Sequence, residues 1–169
     1  MNSLSAVPAT SLRQRAITFL PLLACCAATA WSQTSSSVAT STNYAAELSQ
    51  AESMAQQGHA VAQFNLGVMH DFGQGTPKDP EQAVKWYRLA AAQGHGGAQF
   101  NLGGLYFDGL GVPRDLVRAT MWFTLSAAAG IPGAAKNRSA VAGALTPTEL
   151  GRAQEMAAVC RQKRFQGCD

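Results

Sequence analysis

The stretch AQFNLG spans Ala62–Gly67, and the same six letters return at Ala98–Gly103. Aligning Ala62–Gly97 with Ala98–Gly133 without a gap gives 17 identities in 36 positions. A catalytic motif needs one copy, whereas a unit that stacks on itself needs several. Recurrence at this period predicts a solenoid of helical hairpins, in which neighbours cover apolar faces that one hairpin cannot bury alone. A partial copy precedes the pair, since AQQGH at Ala55–His59 echoes AAQGH at Ala91–His95. A degraded copy follows, with Ala134 and Asn137 still in register.

Each unit divides into two helices. In the first, Ala98, Leu102, Leu105 and Tyr106 fall at i, i+4, i+7 and i+8 and form one apolar stripe. Gly67 and Gly103 lie inside this helix, where a glycine costs about 1 kcal/mol relative to alanine. Repeating that cost implies that a partner helix approaches closely. Gly73 and Gly75, then Gly109 and Gly111, end the helix and turn the chain. Asp79 and Asp115 are the expected N-caps of the second helix, with Pro80 at its first position in the first unit. Its stripe is Ala83, Trp86, Tyr87 and Ala90, echoed by Ala119, Trp122, Phe123 and Ser126. Gly94 and Gly130 are the expected C′ residues. Beyond the repeats, Thr146, Pro147 and Glu149 form a capping box that opens a terminal helix.

These residues resemble the Sel-one-like repeat family, a relative of the tetratricopeptide repeat. The resemblance rests on Leu66, Gly67, Gly73, Gly75, Asp79, Trp86, Tyr87 and Gly94 in one unit. In the next it rests on Leu102, Gly103, Tyr106, Gly109, Gly111, Asp115, Trp122, Phe123 and Gly130. It covers about 45–133, and LTPTELGRAQ at Leu145–Gln154 is similar to the end helix of bacterial members. His70 departs from the family's Tyr, and Thr76 stands where Val112 stands one unit later. The resemblance implies an all-α fold: a right-handed α-solenoid of antiparallel helix pairs with terminal capping helices, used for protein–protein contact.

The expected organisation is a signal peptide over 1–30, a flexible Ser/Thr-rich linker over 31–43, and a repeat domain over 44–165. Within that domain lie full repeats 62–97 and 98–133 and end helices over 134–163; 166–169 is a tail. Arg13 and Arg15 precede an uncharged apolar run, Ala16–Ala30, which ends in Ala28-Thr29-Ala30. That run is too short for the roughly 20 residues of a membrane span, and it reads as a cleaved export signal. Export to the periplasm or medium is therefore expected, with a lipid anchor at Cys25 of LLAC as the alternative. Removing the two arginines leaves 13 − 2 = 11 basic residues against 10 acidic. Such a balance is no footprint for nucleic acid. Cys160 and Cys168 remain, and an even pair in an exported chain predicts a disulfide.

No enzyme constellation of the H-E-x-x-H, S-x-x-K, G-x-S-x-G or C-x-x-C type occurs, and no cofactor or metal is implied. GQGTPK at Gly73–Lys78 lacks the span of a phosphate loop and recurs as GLGVPR, so turn glycines explain it. His59 and His95 hold one position in successive units and read as helix-end residues rather than a metal pair. Trp86 and Trp122 read as core. Asn65 and Asn101 are the candidate peptide-binding residues; the competing role for each is to brace the neighbouring repeat. The leading function is a non-catalytic exported adaptor that binds a protein or peptide along the concave face. The alternatives are a cell-envelope enzyme of β-lactamase or penicillin-binding type, acting on cell-wall material or β-lactams, and a host-directed secreted factor.

Overall fold

A computed structural model describes residues 35–168; the expected signal peptide and Cys25 lie outside the described residues. Seven helices follow in order. They are α1 (Ser35–Gln56), α2 (Ala60–Phe72), α3 (Pro80–Ala91), α4 (Gly96–Asp108), α5 (Leu116–Ala128), α6 (Ala134–Ala142) and α7 (Pro147–Gln162). Among the described residues there is no strand. Each helix packs on the next from α1 to α6, and α7 returns to α5. The repeats are thus the hairpins α2–α3 and α4–α5 of a helical-repeat solenoid, closed at the C-terminal end by α6 and α7. The Ser/Thr-rich stretch from Ser35 onward is helical and continuous with α1. A helix anchored by packing of its C-terminal half extends at one backbone hydrogen bond per added residue. No described helix is long and apolar enough to cross a membrane.

The helix ends follow the expected chemistry. Asp79 accepts from the Gln82 amide and Asp115 from the Arg118 amide, at 3.0 and 2.9 Å. Gly94 has φ +81°; its amide donates to Ala91, and the His95 amide donates to Ala90. This double bond pattern is a Schellman motif, and it satisfies two carbonyls that the helix end leaves open. Gly130 repeats it. The link between paired helices closes through the Asp79 amide on the His70 carbonyl and the Asp115 amide on the Tyr106 carbonyl, at 2.8 and 2.9 Å. Thr146 and Glu149 form the reciprocal capping box at the start of α7.

The interior glycines have a direct steric cause. A Cβ on Gly67 would overlap the Tyr87 ring, and one on Gly103 would lie 3.0 Å from the Phe123 ring. In both hairpins the missing side chain is the seat of the partner helix's aromatic. Tyr87, Leu66 and Leu102 are fully buried, and Tyr106, Trp122 and Phe123 nearly so. Trp86 differs from the expected core position: it is only half-buried. It belongs to the smaller cluster of Ala55, Ala62, Leu66 and Met69 at the α1 end. Trp122 sits within the main cluster, which α5 shares with Val141 of α6 and Ala157 of α7.

Cys160 and Cys168 are disulfide-bonded, with Cα atoms 5.2 Å apart. The loop they close does more than tie the chain to itself. The Phe165 ring lies over Gly94, and Gln166 Nε2 donates to the Ala92 carbonyl at 2.9 Å, 74 positions away. One unit earlier, Gln93 Nε2 donates to the Gly58 carbonyl at 2.9 Å. Gln93 has Ala129 as its counterpart 36 residues on, which has no amide to offer. The tail instead places an amide on a nearby carbonyl, that of Ala92.

Candidate functional site

Two polar residues of the doubled phrase are buried. Gln63 Nε2 donates to the Ala55 carbonyl at 3.1 Å, and Gln99 Nε2 donates to the Ala91 carbonyl at 3.4 Å. Each ties the first helix of a unit to the last turn of the preceding helix, and Gln93 Nε2 also donates to Gln63 Oε1 at 2.7 Å. These glutamines are buried braces between neighbouring helices that the sequence analysis does not single out. Their signal was a polar letter kept at a core-facing register in both copies.

The two candidate asparagines hold equivalent places but different surroundings. Asn101 of α4 is half-buried, and its Nδ2 donates to the Tyr87 hydroxyl at 3.0 Å. That hydroxyl in turn donates to Asp71 Oδ2 at 3.3 Å. Burial pushes the Tyr87 phenol well above its ordinary range, so it remains a donor at any working pH. Burial also raises the Asp71 carboxyl. Asn101 therefore braces α4 against the preceding unit through Tyr87.

Asn65 is exposed, and its side chain makes no hydrogen bond among the described residues. It lines a cavity of about 580 Å³ between α1 and α2. Ala51 and Met54 form the α1 wall, and Val61, Asn65 and Val68 the α2 wall. Val61 is 62% exposed and Met54 40%, so apolar surface faces outward here. Position 87 − 36 = 51 is alanine, so α1 carries no aromatic where α3 carries Tyr87. The structure thus brings Asn65 to an open groove and Asn101 to a filled one.

The histidines are placed by packing. His95 Nδ1 accepts from the Ala98 amide at 3.1 Å and caps α4, while its ring stacks on Phe64 at 4.5 Å. Burial depresses its pKa below the ordinary value. His59 makes no side-chain cap on α2. Of the acidic residues, Asp71 is taken up by Tyr87 and Asp115 by the α5 cap. Among the described residues there is no group of three or more His, Cys, Asp or Glu that could hold a metal ion.

Recurring hairpins of this geometry define an α-helical repeat protein, a scaffold class that presents extended concave surfaces. The chain matches the Sel1 repeat over residues 60–95 and 97–131, and it is a Sel1-like repeat protein. Among solved structures it is similar to a protective antigen present in uropathogenic Escherichia coli strains that displays an SLR fold. The identity is 34% with a TM-score of 0.68, covering 72% of this chain and 26% of that one. It is also similar to a Sel1 repeat protein from Oxalobacter formigenes, at 30% identity and a TM-score of 0.50, covering 59% of this chain and 44% of that one. The chain therefore spans about a quarter and under half of the lengths of these two relatives. No curated protein matches it. Sel1 repeat proteins are in general protein-interaction adaptors, and their fold is typically non-catalytic.

Proposed function

We propose that this protein is an exported, non-catalytic adaptor that binds a protein or peptide partner at the α1–α2 groove, with Asn65 as its polar anchor. One observation carries the proposal: of the two asparagines of the full repeats, Asn101 is taken up by the fold and Asn65 lies exposed beside open apolar surface. The groove is walled by aliphatic side chains, with Glu47, Gln50, His59 and Gln74 as further polar groups beside Asn65, and an apolar concavity with convergent polar groups is the usual form of a specific binding site. Export is supported by the basic and apolar run at Arg13–Ala30. A disulfide-closed C-terminus fits an oxidising compartment.

Affinity capture from the cell envelope, comparing the full chain with Asn65→Ala, tests the binding. A partner retained by the first and lost by the second is the expected result; equal capture by both contradicts it. Fractionation with intact mass tests the location. A mature chain beginning near Trp31 supports cleavage and export, a diacylglyceryl mass at Cys25 supports the anchored form, and an uncleaved cytoplasmic chain overturns export.

A further inference from the structure

The C-terminal clasp holds a bond that a thiol can reach. Cys160 is 2% exposed on α7, whereas Cys168, at the other end of the loop, is half-buried. Both line a second cavity, of about 330 Å³, together with Met156, Val159, Lys163 and Arg118. A thiol entering this cavity therefore meets Cys168 before Cys160, and exchange rates follow access to the sulfur attacked. Inside the loop, Arg164 and Phe165 both hold left-handed backbone, with φ +50° and +66°. Residues with a Cβ rarely adopt that region. Closure of the loop keeps this turn in place, and so do the contacts of Phe165 on Gly94 and of Gln166 on Ala92. Without the closure the turn can relax.

We propose that Cys160–Cys168 is a thiol–disulfide exchange site, attacked at Cys168 by a dithiol, and that its opening unlatches the tail from the α3–α4 corner. The attacking thiolate bonds to Cys168 Sγ, the Cys160–Cys168 bond breaks, and Cys160 leaves with the electron pair. The second sulfur of the dithiol then attacks the first across the mixed disulfide. Cys168 is released, the dithiol departs as a disulfide, and its two protons end on the two cysteines. This latch is independent of the α1–α2 groove, so either reading stands without the other.

Dithiothreitol tests this on the folded full chain, its free thiols blocked beforehand, with the pair followed by alkylation and peptide mass mapping. Direct attack on the native fold gives a rate proportional to dithiothreitol and constant to within about two-fold across sub-denaturing urea. A bond reached only through global unfolding would instead open at least about five-fold faster per molar urea, and that result overturns the proposal. So does a bond that stays closed until the chain unfolds. Glutathione followed by rapid alkylation reads the sulfur attacked: glutathione on Cys168 with alkylated Cys160 is expected, and the reverse pattern contradicts the route. NMR of the reduced chain reads the latch. The amide signals of Gly94 and His95 should move, while those of Gly58 and His59, one unit earlier, stay in place. Gly94 and His95 signals that hold their positions after reduction would overturn the unlatching.

Discussion

The Tyr87 hydroxyl donates to Asp71 in the same hairpin and accepts from Asn101 in the next, and its ring rests on Gly67. One side chain thus joins three helices. Tyr87→Phe removes only the oxygen, leaving Asn101 and the half-buried Asp71 unpaired. The expected loss of stability is about 1–2 kcal/mol, measured by urea unfolding. Phe123 holds the corresponding place in the second unit without a hydroxyl, and Phe123→Leu should cost packing alone.

Close approach at the glycines makes a graded prediction. Alanine in a helix interior gains about 1 kcal/mol of propensity over glycine. Overpacking against a ring costs about 1–3 kcal/mol. At Gly67 the added Cβ would overlap Tyr87, so Gly67→Ala should be clearly destabilising. At Gly103 the contact is 3.0 Å and the two effects nearly offset. Denaturation midpoints that rank Gly103→Ala as the more damaging change would contradict this packing.

The His95 cap makes stability depend on pH in one direction. Its Nδ1 accepts the Ala98 amide only when unprotonated, and burial holds its pKa below the ordinary 6.5. A depressed folded value means that the unfolded chain takes up the proton first. Stability is therefore complete above about pH 6.5 and falls as pH drops through the folded value. His95→Asn keeps a capping acceptor without a titrating one, so it should flatten the slope of melting temperature against pH between about 5 and 7.

The disulfide loop is short, and chain entropy gives its closure about 2.5 kcal/mol. Reduction, or Cys168→Ser, should lower stability by an amount of that order. It should also loosen the contacts of Phe165 on Gly94 and of Gln166 on Ala92. Hydrogen exchange at the amides of Gly94 and His95 checks the second effect: faster exchange on reduction is expected. Unchanged protection would mean that the tail docks without its covalent tie.

Much of the fold was legible because the same constraints are written twice. The caps at Asp79 and Asp115, the Schellman glycines and the notches at Gly67 and Gly103 each leave a local mark that period 36 repeats. Trp86 was harder, since its burial depends on the small side chains that α1 presents and not on its own register. The separation of Asn65 from Asn101 was also hidden. Identical letters mark both, and only the neighbour (Ala51 in one case, Tyr87 in the other) decides which asparagine is used internally. The docking of Gln166 on Ala92 spans 74 positions, and no periodic signal reaches that far.

The central claim is that a partner is held at the α1–α2 groove. A photoreactive residue at Val61, inside it, and another at Leu89, an exposed position outside its lining, test this most directly in living cells. A discrete crosslinked partner from Val61 and none from Leu89 is the predicted result. The same adduct from both positions, or none from Val61, would contradict it.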